Sequence, residues 1–65
     1  DGISNIRIVI NKASILIKKK GKLVLEIGYD QKNKVSRILE ENGFFINNVV
    51  KDYGKKDRCI ISTKK

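Results

Sequence analysis

GKLVLEIGYDQ, Gly21 to Gln31, is the stretch on which the fold turns. Leu23, Val24, Leu25 and Ile27 form a nearly continuous apolar run, as in a strand covered by helices on both faces. The run predicts a strand over residues 22–28. Glu26 breaks it, two residues before its end. A carboxylate there needs a partner, either a ligand or a basic residue such as Arg58. Tyr29 and Asp30 follow as a turn, and Asp30 is placed to cap a helix.

Upstream, Ile6, Val9, Ile10, Ala13 and Ile17 recur at steps of three and four, one stripe of a helix over about residues 4–20. Ser4 is the expected N-cap. Lys18, Lys19 and Lys20 are expected in the last turn, where cations meet the negative end of the helix dipole. Gly21 suits the left-handed residue beyond it. Ile8 and Ile15 lie off the stripe and imply a second covered face. Downstream, Val35, Ile38 and Leu39 mark a helix over 31–42 that Gly43 ends. Strands are expected at 44–53 and 58–63, with GKKD (Gly54 to Asp57) reversing the chain between them. The order helix, strand, helix, strand, strand describes an α/β arrangement: a parallel crossover unit whose last strand returns as an antiparallel hairpin. Residues 1–65 read as a single segment, one compact end of a larger sheet.

Sixty-five residues bound this to at most one domain, with a small core. Cys59 is the only cysteine and there is no histidine, so a disulfide framework and a zinc site are both set aside. An unpaired cysteine suits a reducing compartment, and a cytoplasmic location is expected. No apolar run has the length of a membrane span. The first residue is Asp1 rather than Met, as in a processed chain or a piece of a longer one. The formal charge is +8, from 15 Lys and Arg against 7 acids. That surplus could steer the chain to nucleic acid. A compositional explanation competes, because 12 Lys, 11 Ile and 6 Asn all have A/T-rich codons, and only three of the basic residues are Arg.

Catalytic constellations are scarce. Without histidine there is no Ser–His or Cys–His set, and the five glycines stand singly rather than in a phosphate-cradling loop. Cys59, inside an apolar strand, reads as a small buried hydrophobe. Asp57 and Arg58 read as a surface pair. Glu26 and Tyr29, at the carboxyl end of the first strand where open α/β sheets bind ligands, are the candidate substrate-side residues. Glu26 is either a polar group facing a pocket or a structurally bound carboxylate. Tyr29 either stacks on a ligand or closes a rim.

Four pieces carry a resemblance: DG at Asp1–Gly2, GKLVLEIGYDQ at Gly21–Gln31, ILEENGF at Ile38–Phe44 and VKDYGKKDR at Val50–Arg58. In this order and spacing the chain resembles the C-terminal part of the release-factor glutamine methyltransferases, the HemK or PrmC family. The resemblance covers essentially all 65 residues. It implies the C-terminal portion of a Rossmann-like (class I) methyltransferase sheet, its last strand inserted antiparallel between the other two. It also implies a parent enzyme that uses S-adenosylmethionine to methylate the glutamine side-chain nitrogen in the Gly-Gly-Gln loop of peptide-chain release factors. That family's glycine-rich cofactor loop and Asn-Pro-Pro-Tyr motif lie upstream. This chain has no proline, so no catalytic or cofactor-binding residue is carried over, and Glu26 matches only the strand-end glutamate.

The isolated segment is therefore expected to be inactive and to bind no cofactor. An unpaired edge on its first strand is expected to drive self-association. Two alternatives remain open: a methyltransferase of the same fold acting on RNA or a small molecule, and a free-standing basic RNA-binding module whose affinity falls steeply with salt. Few aromatics interleave with the basic residues as a stacking platform would require.

Overall fold

The computed structural model describes residues 2–65. Asp1, which opens the family-like pair with Gly2, lies outside the described residues. Helix α1 spans Gly2–Leu16, strand β1 Lys22–Glu26, helix α2 Lys32–Glu41, strand β2 Phe44–Lys51 and strand β3 Asp57–Lys64. The architecture is α/β: three strands in the order β1-β3-β2, with β3 antiparallel to both neighbours. β1 and β2 therefore run parallel to each other with β3 inserted between them, the arrangement that the resemblance implies.

The apolar stripes explain the packing. Ile10 on α1, Val35, Ile38 and Leu39 on α2, Ile27 after β1, Phe44 on β2 and Ile60 on β3 form the buried core. Ile3, Ile6, Ala13 and Ile17 line the helix side, and Leu23, Leu25, Ile46 and Val49 the sheet side. Among the described residues Ser62 is the one buried polar residue, and its hydroxyl donates to the Leu23 carbonyl oxygen at 3.0 Å, so its burial carries no unmet hydrogen bond. At the end of α2, Gly43 takes φ +83°. That left-handed conformation turns the chain into β2 at little steric cost only for glycine. The Asn42 side chain donates to the Ile38 carbonyl, and Lys64 Nζ reaches the Asn42 carbonyl while standing 5.3 Å from the Phe44 ring centre. A cation thus covers the negative end of this helix.

Both helices pack on one face of the sheet. The expectation of a strand covered on both sides is corrected accordingly: Leu23, Leu25 and Ile27 face the helices, whereas Lys22, Val24 and Glu26 alternate onto an open face, Val24 with 59% of its surface exposed. Phe45 and Val50 of β2 share that open face. Ile8 and Ile15 are exposed on α1, on the side away from the core. The helix ends differ from expectation as well. Ser4 lies within α1, and that helix stops at Leu16, leaving the lysine run in the following loop. Lys20, not Gly21, adopts the left-handed conformation there, at φ 70°. Gln31 rather than Asp30 precedes α2, and its side chain folds back so that Oε1 accepts the Gly28 N–H at 2.7 Å.

The β2–β3 hairpin is closed by Asp52. Its Oδ1 accepts the Lys56 N–H at 3.0 Å, and its Oδ2 accepts from Arg58 Nε at 2.8 Å. Lys51 Nζ stands 3.1 Å from Asp57 Oδ1 as an ion pair. The expected Asp57–Arg58 surface pair is thereby replaced by two pairs that bind across the turn. Lys55, at φ 63°, supplies the reversal. The Lys56 backbone N–H, and after it Arg58, holds the Asp52 carboxyl below its ordinary value of 3.8.

Two predictions follow from this geometry. Phe44 and Phe45 are neighbours on opposite faces, 0% and 56% exposed. Phe44→Ala is expected to cost about 3–5 kcal/mol, comparable to the whole stability of so small a core, and so to unfold the chain. Phe45→Ala is expected to cost less than about 1 kcal/mol. Urea unfolding followed by circular dichroism separates the two, and equal costs would contradict the one-sided layer. For Asp52 the depressed pKa means its contribution is present above 3.8 and is lost as pH falls through the lower, folded-state value. The carboxyl carbon of Asp52, followed by NMR, should titrate below 3.8, and Arg58→Gln should move the midpoint upward; a midpoint at or above 3.8 in the folded chain would refute the closure.

Candidate functional site

The carboxyl end of β1 holds both residues singled out from the sequence. Glu26 ends the strand opposite Cys59 of β3, with its side chain on the open face. It is exposed, and among the described residues it has neither a hydrogen bond nor an ion pair. The basic residue expected to pair with it, Arg58, is taken by Asp52. Alternation explains this: once the strand is covered on one side only, a carboxylate at this position meets water, and its solvation cost disappears. Cys59, expected to be buried, is half-buried on the same face.

Tyr29 lies in the turn beyond β1 with 61% of its surface exposed. Lys56 Nζ, from the β2–β3 turn, stands 4.9 Å from its ring centre. This cation–π contact pins the two loops together at the rim. Glu26 and Tyr29 thus share one end of the sheet, yet no hydrogen bond, ion pair or ring contact joins them.

Gly28 could leave room for a close approach, but the Gln31 side chain fills it: Cδ and Oε1 lie 3.2 Å from where a Cβ on Gly28 would stand. What the β1 end offers chemically is an exposed carboxylate, a half-buried thiol opposite it, a phenol ring and a lysine, with no hydrogen bond joining the thiol to the carboxylate. Among the described residues no group of three or more His, Cys, Asp and Glu side chains could hold a metal ion, and no helix is long and apolar enough to cross a membrane.

Sequence reasoning missed two features. One is the Lys56–Tyr29 contact, which depends on the hairpin folding back over the β1 turn. The other is a cleft of about 280 Å³ between α1 and α2, lined by Ile3, Arg7, Lys34, Arg37, Ile38 and Glu41. Its signal was present in the chain: Lys34, Arg37 and Glu41 follow helical spacing along one side of the α2 stripe, and Arg7 adjoins Ile6 and Ile10 on α1.

No family model matches the chain, and no solved structure matches it. Curated relatives do. A release factor glutamine methyltransferase of Fusobacterium nucleatum is 44% identical over 64 residues, covering 98% of this chain and 18% of that protein. The protein of the same name from Buchnera aphidicola is 40% identical over 65 residues, covering 100% of this chain and 24% of its own length. A bifunctional methyltransferase of Rickettsia bellii is 37% identical over 60 residues, 92% of this chain and 11% of that protein. The chain thus spans about a fifth of the length of the release factor glutamine methyltransferases it matches. It belongs, as one segment, to the release factor glutamine methyltransferase family.

Proposed function

We propose that these residues are the C-terminal part of an S-adenosylmethionine-dependent methyltransferase that modifies a glutamine side-chain nitrogen of peptide-chain release factors in the cytoplasm. The observation that carries this reading is the 44% identity running through 98% of the chain. In this role the segment is structural. It finishes one end of the sheet, while the cofactor cradle and the residues that hold the substrate amide belong to the portion upstream.

The open surfaces agree with it too. Ile27 donates to the Arg58 carbonyl and Lys64 to that of Gly21, so the odd-numbered residues of β1 turn their backbone groups toward β3. The N–H and C=O groups of Lys22, Val24 and Glu26 point the other way, toward a free edge. In the enzyme a neighbouring strand covers this edge and further structure covers Val24, Phe45 and Val50. Left alone, the edge is complementary to itself: antiparallel pairing about Val24 sets Lys22 of each copy opposite Glu26 of the other.

The reading is tested by transfer of labelled methyl groups. The 65-residue chain alone is expected to transfer none. A protein that joins it to the cofactor loop and Asn-Pro-Pro-Tyr motif of a relative should label a release factor, and lose that label when the Gly-Gly-Gln glutamine becomes alanine. Labelling of RNA or a small molecule instead would favour the alternative acceptors. A separate prediction concerns the edge. In sedimentation, the isolated chain is expected to dimerise and Val24→Pro to restore the monomer, since that N–H is not used by β3; a wild-type chain that stays monomeric at every concentration would refute self-pairing.

A further inference from the structure

The cleft between α1 and α2 lies on the helix layer, away from the free edge and the open sheet face. Ile3 is half-buried and offers aliphatic surface between the helices, where Ile38 is buried in the core. Arg7 stands on α1, and Lys34, Arg37 and Glu41 line the cleft from α2. Three cations thus face one carboxylate. None of the four makes an ion pair with another described residue, since the two salt bridges there join Lys51 to Asp57 and Arg58 to Asp52. Two of the three arginines in the chain converge on this cleft. Arginine presents a planar fork of donors that grips carboxylates in pairs of hydrogen bonds.

We propose that this cleft is a docking site for an acidic peptide segment of a protein partner, with carboxylates held by Arg7 and Arg37 and an aliphatic side chain resting on Ile3. The chemistry of the lining favours a peptide over a nucleic acid. No aromatic ring lines the cleft, so bases have nothing to stack on. Ile3 rewards an apolar side chain beside the charged groups and gains nothing from a sugar–phosphate backbone. Glu41 repels a polyanion with a charge on every unit, but it can accept a peptide N–H between spaced carboxylates. At about 280 Å³ the cleft holds a few side chains rather than a folded surface. This inference goes beyond the methyltransferase reading and does not depend on it.

The test is fluorescence anisotropy of a labelled, end-blocked peptide of alternating Glu and Leu, titrated with the 65-residue chain. A Gln–Leu peptide and a thymidine oligonucleotide of equal charge run in parallel. Arg7→Gln and Arg37→Gln are each expected to weaken the acidic peptide about tenfold. Lys19→Gln, in the loop after α1, should leave it unchanged, and the Gln–Leu peptide should not bind. Three outcomes would overturn the proposal: no binding of the acidic peptide, an equal loss with Lys19→Gln, or tighter binding of the oligonucleotide. The second would show a diffuse effect of net charge, and the third a nucleic-acid surface.

Discussion

Everything in this fold hangs on β3. It is the only strand that pairs with both others, and Ile60 and Ser62 place its inner face at the centre of the core. β1 and β2 never touch as strands; each is part of a sheet because β3 lies between them. The hydroxyl of Ser62 tightens this arrangement by reaching the Leu23 carbonyl, and Lys64 at its far end covers the exit of α2 beside Phe44. Removing β3 would expose the apolar inner sides of both neighbours and leave the helices with no sheet to cover.

A single layer of helices then settles which polar groups can be tolerated where. With α1 and α2 on the same face, every alternate residue of the strands meets the other side. This is why Glu26 needs no counter-charge and why Val24 and Phe45 stand in the open. It is also why the candidate site at the β1 end is a rim rather than a pocket. Tyr29 and Lys56 clamp two loops there, and Gln31 occupies the space that Gly28 leaves.

The elements were legible because their periodicities are strong. The α2 stripe of Val35, Ile38 and Leu39, the left-handed Gly43 after it and the reversal at GKKD all rest on local signals, and the structure shows each of them. The insertion of the last strand came from family resemblance, since no local signal distinguishes a strand added at the edge from one placed between two others. What failed depended on tertiary context. The run Leu23–Ile27 is apolar enough for an interior strand, but its inner and outer residues differ only in what packs on them. Arg58 could have paired with Glu26 or Asp57, and the hairpin geometry gave it to Asp52. The lysines after α1 sit beyond a helix that ends at Leu16, and in the loop that follows Lys20 rather than Gly21 takes the left-handed conformation.

The central position of β3 also bears on how the chain comes into being. Residues emerge in order during synthesis, so β1 and β2 are both made before the strand that joins them. Lys22 meets Thr63 across the whole intervening chain, a closure that costs more loop entropy than a simple hairpin. Until Asp57–Lys64 has been made, two partly apolar strands have no neighbour in this sheet, and a nascent chain stalled before that point would expose both to chaperones or to other chains. The hairpin that Asp52 closes offers the shortest route out of that state, because β3 can zip onto β2 locally before it reaches across to β1.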